Sequence, residues 1–285
     1  LKNSNFDLSK NYFFKAKTRN SISILNQYIA NSLYIWSDLN KSNLDAAQKN
    51  FNQLDKRFDN IRKIQNVFLN CYFESINTVS LYEELISNSK TDFSRYNYFY
   101  AKYLENNGKK DKAKKIIEDS LKKYPRNLLL NQYKVDFDNN KKNFDFNCKT
   151  EKDNIAELLY IAANALSSQS FFQLSNFYLN LAKYLNKNFH SYDTLLAENF
   201  YKIDDFAEAK KIYKDLKNYG SAFNWYSNKQ ISRILIQEDE KNKSLNLLRK
   251  AYDKLPNKGV YETFDYAEFL KNNEDFLNSV NYYTQ

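Results

Sequence analysis

The side chains that most often do acid–base or nucleophilic chemistry are sparse in this sequence and do not combine. Among 285 residues there is one histidine, His190. Charge relays and histidine metal sites need a partner at ligand spacing, and none lies nearby, so we predict a structural or solvent-facing role. Adjacent carboxylates occur at Glu83–Glu84 and Asp204–Asp205. Helix neighbours point about 100° apart and cannot share a proton, whereas Asp204–Asp205 suits a turn and a helix cap.

The two cysteines, Cys71 and Cys148, are far apart in the sequence, and neither belongs to a CxxC motif or a Cys/His cluster. Metal and redox sites built from cysteine have short, recognisable spacings. We therefore predict two ordinary thiols rather than a disulfide or a metal pair.

Sequence motifs that bind phosphates or metals are also missing. No GxGxxG, GxxxxGK[ST], HExxH or GxSxG string occurs. The sequence therefore predicts no catalytic residue, no cofactor, no metal site and no enzymatic activity. With 3 glycines and 2 prolines, the chain has too few turn formers for an all-β fold, so an all-helical fold is expected.

A repeated spacing of small and large apolar residues predicts how these helices are arranged. It is clearest in AKYLENNGKKDKAKKIIEDSLKKYPRN. Counted from Ser94, small residues stand at positions 8, 20 and 27, larger apolar residues at 11 and 24, and proline at 32. Small residues let two helices cross closely or let the next hairpin approach, and proline ends the second helix. The residues concerned are Ala101, Leu104, Ala113, Ile117, Ser120 and Pro125.

The same spacing returns along the chain, with repeats starting at Ala156, His190, Trp225 and Val260. Weaker copies start at Tyr28 and Arg62. The pattern resembles the tetratricopeptide (TPR) family, and in particular the long repeat arrays of bacterial TPR proteins.

This resemblance implies an all-α fold, an α-solenoid of antiparallel helix hairpins that coil into a right-handed superhelix. It also implies a non-catalytic scaffold that binds a peptide or protein partner in its concave groove. Because the chain starts at Leu1, contains no methionine and ends within the second helix of its last repeat, we expect a fragment of a longer protein.

Four segments are predicted. They are an N-terminal helical segment (1–27), N-terminal hairpins (28–127), an irregular joint (128–155) and a C-terminal array whose last repeat is truncated (156–285). Within the joint, LLLNQYKVDFDNN can form one helix, whereas NKKNFDFNCKTEKDN is typical of a loop.

In the family, the first helix of each hairpin lines the groove, and its positions 2, 5, 9 and 12 face inward. Tyrosine, phenylalanine and arginine at such positions suit partner contact, because these residues are enriched at interaction hot spots. The residues predicted to contact a partner are Tyr98, Lys102, Tyr160, Asn164, Glu198, Tyr201, Tyr226, Lys229, Arg233 and Phe264.

The formal net charge of +9 raises an alternative, a nucleic-acid-binding helical repeat protein that uses the basic helix 109–126. Lysines between apolar positions are more often the solvated face of a helix, so we expect a protein or peptide partner rather than a nucleic acid.

The sequence does not identify a single cellular compartment. No run of 18 apolar residues and no apolar signal-peptide core is present, which predicts a soluble protein of the cytoplasm or periplasm.

Overall fold

A computed structural model describes residues 24–39, 42–88, 93–141 and 145–284. This part of the chain contains fifteen α-helices and no strand, and successive helices pack in pairs. The all-α prediction is therefore confirmed. The helices are α1 Ile24–Ser37, α2 Leu44–Asn52, α3 Asp59–Tyr72, α4 Thr78–Ser87, α5 Ser94–Asn106, α6 Lys110–Lys123, α7 Leu128–Asp138, α8 Glu151–Ser168, α9 Phe172–Leu185, α10 Ser191–Lys202, α11 Phe206–Leu216, α12 Ser221–Gln237, α13 Lys241–Asp253, α14 Val260–Asn272 and α15 Phe276–Tyr283.

The turn between the two helices of a hairpin has the same geometry in five repeats. Position 15 has a left-handed backbone conformation, with φ between 59° and 74°. The amide of position 16 donates to the carbonyl of position 11 at 2.8–3.0 Å, which satisfies a carbonyl at the end of the first helix. The residues at position 15 are Gly108, Ser170, Asp204, Asp239 and Glu274.

Three hairpins have a further bond at the predicted crossing point of their helices. Where position 20 is serine, its hydroxyl donates to the backbone carbonyl of position 8, at 2.8–2.9 Å. A serine here is small enough for the close approach and has a partner for its buried hydroxyl. The serines are Ser175, Ser244 and Ser279.

The chain divides into two compact units that alternate along the sequence. The first unit comprises residues 1–103 and 144–195, and the second comprises 104–143 and 196–285. In the first unit, α8 packs against α1, α3 and α9. In the second, α7 packs against α6 and α12, and the helices from α11 to α15 pack successively. The four predicted segments remain predictions about repeat organisation, and the packing groups the chain differently.

The predicted joint is partly helical. Residues Leu128–Asp138 form α7, as LLLNQYKVDFDNN predicts, but α8 begins at Glu151, inside the stretch predicted as a loop. The side chain of Asp153 accepts a bond from the Asn147 amide (2.8 Å), and that of Asn154 donates to the Cys148 carbonyl (2.8 Å). These bonds and the acidic residues of the first turn stabilise an early start of the helix. Of the predicted N-terminal segment, residues 1–23 lie outside the described residues.

The prediction of two unpaired thiols is wrong. Cys71, in the last turn of α3, and Cys148, in the non-helical segment before α8, form a disulfide in the first unit, with Cα atoms 5.9 Å apart. The packing of α3 against α8 brings these distant residues together, which sequence spacing alone does not indicate. Within the described ranges, no helix is long and apolar enough to cross a membrane.

Candidate peptide-binding groove

An open groove of about 530 Å³ lies in the second unit. Most of its lining comes from α12 and α14, with contributions from α10, α13 and the turn before α7. Because side chains three and four positions apart share a helix face, predicted inward positions of three helices meet here. We call this site the groove. Its lining includes Arg126, Tyr201, Lys229, Gln230, Arg233, Ile236, Phe264, Asp265, Glu268 and Phe269.

Arg233 is an exposed cation of the groove. Its guanidinium donates to Oε1 of Gln230 at 2.9 Å and lies 5.2 Å from the ring centroid of Tyr201. Among the described residues it has no carboxylate within ion-pair distance. Arginine on an aromatic ring is held in place while several N–H donors remain directed outward. This geometry suits an acidic or carbonyl-rich ligand.

Two other cations of the groove, Arg126 and Lys229, share one carboxylate. Asp265 accepts from Arg126, at 2.5 Å, and forms an ion pair with Lys229. Its side chain is only 13% exposed, and that of Lys229 is 28% exposed. Lys229 thus lies in the groove as predicted, but its charge is already paired.

An aromatic edge completes the groove. Phe264 remains 46% exposed, and the guanidinium of Arg126 lies 5.8 Å from its ring centroid. Tyr283 packs edge-on against the same ring, with centroids 5.6 Å apart. Phe264 is therefore fixed in position, yet its surface is open to a ligand.

A second, more apolar cleft of about 420 Å³ lies between α7, α12 and the turn before α14. It shares Arg126, Lys229 and Asp265 with the groove, so the ion cluster separates two depressions of the same unit. Tyr226 lines this cleft rather than the groove.

Tyr226 and Glu198 form a pair of their own. The Tyr226 hydroxyl donates to the Glu198 carboxylate. Burial, together with neighbouring Tyr213 and Glu198, raises the pKa of Tyr226 well above its usual value, so the phenol stays protonated at neutral pH. Both residues are thus engaged with each other beside the groove.

In the first unit, Tyr98 and Lys102 are buried. The Tyr98 hydroxyl donates to Asp145 (2.6 Å), and the Lys102 ammonium lies 3.1 Å from the same carboxylate. Both are less than 5% exposed, so we leave them out of the proposed site. Asn164 is exposed on α8.

Tyr160 contributes to a buried polar cluster. The Arg95 guanidinium lies 3.8 Å from its ring centroid and makes two bonds to Glu157, at 2.7 and 2.8 Å. A third bond joins Arg95 to the Ser191 hydroxyl at 2.7 Å. With Glu157 fully buried, this cluster stabilises the core of the first unit.

Sequence reasoning missed Arg126 and Asp265. Arg126 follows the proline that ends a repeat, and Asp265 stands at position 6, which is not an inward position of the family pattern. They meet because α7 packs against α12, between segments far apart in the chain. A 34-residue spacing carries no information about such a contact.

The other candidates for chemistry have structural roles. Asp204 provides the left-handed turn residue, and Asp205 caps α11 by accepting from the Glu208 amide at 3.2 Å, so the turn-and-cap prediction is confirmed. His190 lies 3.5 Å from Asp193, one helical turn away. No group of metal-binding side chains is found in the ranges that the structure describes.

The lysines of the basic helix α6 face solvent, as expected for a solvated outer face. The exposed lysines of this helix and of the residue before it are Lys109, Lys110, Lys112, Lys114, Lys115, Lys122 and Lys123.

Neither a protein-family model nor a curated protein matches the sequence. Among solved structures, the chain is similar to the TPR domain of P58(IPK), with 14% sequence identity. The similarity covers 89% of this chain and 81% of that chain, with a TM-score of 0.25. The assignment of TPR-like hairpins accordingly depends on the repeated turn and crossing geometry.

Proposed function

We propose that this chain is a non-catalytic protein-interaction scaffold and that the groove of the second unit binds a peptide segment of a protein partner. The observation that supports it most directly is the combination of Arg233 and Phe264 across one open groove. An exposed guanidinium that has no carboxylate partner among the described residues and a half-exposed ring line the same groove.

The form of the site supports a peptide rather than a small molecule. The polar groups of the groove are spread over three helices rather than contributed by one. Extended ligands use such surfaces through a few aromatic and arginine anchors, with the remaining contacts excluding water.

The charged residues that line the groove indicate which peptides we expect it to bind. Of the three cations that line the groove, Arg126 and Lys229 share the carboxylate of Asp265, and the other lining carboxylate, Glu268, forms an ion pair with Lys271 at 3.0 Å. Arg233 then remains as the cation available to a ligand. We expect bound peptides to place an acidic side chain or a carbonyl against Arg233 and an apolar side chain on Phe264.

A peptide-library selection on the full chain tests this proposal. Affinities of selected peptides are then measured by fluorescence anisotropy for the wild type, Arg233→Ala and Phe264→Ala. Because truncating a hot spot costs about 2 kcal/mol or more, each substitution should weaken binding on the order of thirtyfold.

Arg249→Ala is the matched control. Arg249 is also an exposed arginine of the second unit, on α13, and bonds to Asn246 at 3.0 Å without lining the groove. Its removal should leave affinity unchanged. Equal losses for Arg233→Ala and Arg249→Ala would show a general effect of charge and exclude the groove as the site.

A further inference from the structure

The Cys71–Cys148 disulfide joins a helix to a segment without regular structure, in which Phe146 and Cys148 are buried. Cys71 is completely buried and Cys148 is 8% exposed. Their Cα separation of 5.9 Å lies within the range of about 4.4–6.8 Å that is usual for disulfides. Residues 145–150 connect Cys148 to the first turn of α8 and include no helix. A turn with a bond from the Thr150 amide to the Asn147 carbonyl, at 3.0 Å, closes the segment, but no helical hydrogen-bond ladder supports it, so the covalent bond fixes a segment with little backbone hydrogen bonding of its own.

This segment supplies central contacts of the first unit. Phe146 is 4% exposed, and its ring centroid lies 4.5 Å from that of Phe99 and 5.5 Å from that of Phe68. Phe68 stands one turn before Cys71 on α3. The disulfide and the aromatic cluster thus hold the same two elements together, one covalently and one by packing.

The segment also makes polar contacts with α5 and with Asn186. The Asp145 carboxylate accepts from the buried Tyr98 hydroxyl and forms an ion pair with the buried Lys102, both of α5, and its backbone carbonyl accepts from the Asn186 side chain at 2.7 Å. If the segment left its place, a buried ammonium and a buried phenol would lose their carboxylate partner. Burying a charge without its partner is strongly unfavourable, so displacement of residues 145–150 would destabilise the first unit.

We propose that this disulfide is a redox-sensitive clasp of the first unit and that the chain attains its stable form in an oxidising compartment. On closure, the two thiols lose two protons and two electrons and the S–S bond forms. A disulfide-bearing oxidant takes up the electrons and protons and becomes two thiols. A dithiol reductant reverses the exchange by attacking one sulfur and expelling the other as a thiolate.

Burial determines how the clasp responds to reductants. A thiolate must reach one of the sulfurs, and both are covered in the folded chain, so reduction requires local opening of the first unit. The clasp should therefore resist dithiothreitol under native conditions and become reducible at denaturant concentrations below the unfolding midpoint.

The experiment uses the full chain, folded in air-saturated buffer. Thiol titration under denaturing, non-reducing conditions should find no free thiol, and two after reduction. Two free thiols in the folded, unreduced protein would overturn the proposal. This count does not depend on whether any variant folds.

Thermal unfolding then tests the role of the bond. A cross-link between residues separated by 77 positions should raise the melting temperature on the order of 10 °C. Reduced wild type and the Cys71→Ala/Cys148→Ala variant should have the same melting temperature. Addition of reductant should leave the melting temperature of the variant unchanged. If the variant fails to fold while the reduced wild type stays folded, the variant's loss comes from packing, and the oxidised and reduced wild type are compared instead; equal melting temperatures of these two forms would reject the clasp.

Two further measurements show which residues are destabilised by reduction and whether the disulfide is present in cells. Hydrogen exchange should speed up in residues 145–150 and α5 after reduction, while α12 and α14 keep their protection. Alkylation of native cells before lysis should trap the cysteines as the disulfide. Recovery of the reduced, alkylated form would overturn the assignment to an oxidising compartment.

Discussion

At the scale of single residues, the most demanding interaction is the buried pair of Arg95 and Glu157. The Glu157 carboxylate has no exposed surface and is held by two bonds from one guanidinium. Such a pair contributes little compared with an apolar core of the same shape, but removing one partner leaves the other charge buried and uncompensated.

We therefore expect Glu157→Gln to destabilise the chain by about 3–5 kcal/mol, because the amide keeps the volume but removes the charge that Arg95 needs. The measurement is chemical denaturation followed by circular dichroism. Glu84→Gln, on the exposed surface of α4, is the control and should shift the free energy of unfolding by less than about 0.5 kcal/mol. Similar shifts for both variants would contradict the pairing.

At the scale of elements, the agreement between sequence and structure is closest at the hairpins. The small residues at positions 8 and 20 predict where the two helices cross, and the serine-to-carbonyl bonds of Ser175, Ser244 and Ser279 lie at those positions. Spacing was sufficient here because a hairpin is a local structure.

Contacts between elements that are far apart in the chain could not be predicted from the sequence. The Cys71–Cys148 bond and the Arg126–Asp265 pair each join parts of the chain that are far apart, and the repeat pattern describes only neighbours. The burial of Tyr98 and Lys102 has the same cause. Asp145, their partner, comes from a segment outside the repeat spacing.

Overpacking at a crossing point tests the hairpin positions. Ala209 is fully buried in a core cluster with Tyr213 and Ile231, so Ala209→Leu should destabilise the chain by about 1–3 kcal/mol. Ala207→Leu makes the same chemical change at an exposed position of the same helix and should be nearly neutral. Comparable melting temperatures for the two variants would show that the repeat positions are misplaced.

At the scale of the whole molecule, buried tyrosines set the response to alkaline pH. The chain has 24 tyrosines, and burial raises the pKa of several of them, to about 12 for Tyr28 and Tyr266. An unfolded tyrosine titrates near pH 10. Between these values the unfolded chain binds fewer protons than the folded chain, so the free energy of unfolding must fall as pH rises.

We predict full stability below about pH 10 and progressive loss as pH rises toward about 12. Tyrosinate absorbance should then increase in two stages, exposed tyrosines first and buried ones together with unfolding, monitored by circular dichroism. A single stage near pH 10 with the helical signal intact would contradict the burial of these side chains.

The central claim, that the groove between α12 and α14 binds a peptide, is tested most directly by hydrogen exchange on the full chain with and without a library-selected peptide. We predict slower exchange in α12 and α14, on either side of Arg233 and Phe264, and no change in the basic helix α6. Protection confined to α6, or protection that persists in Arg233→Ala at equal peptide concentration, would contradict the claim.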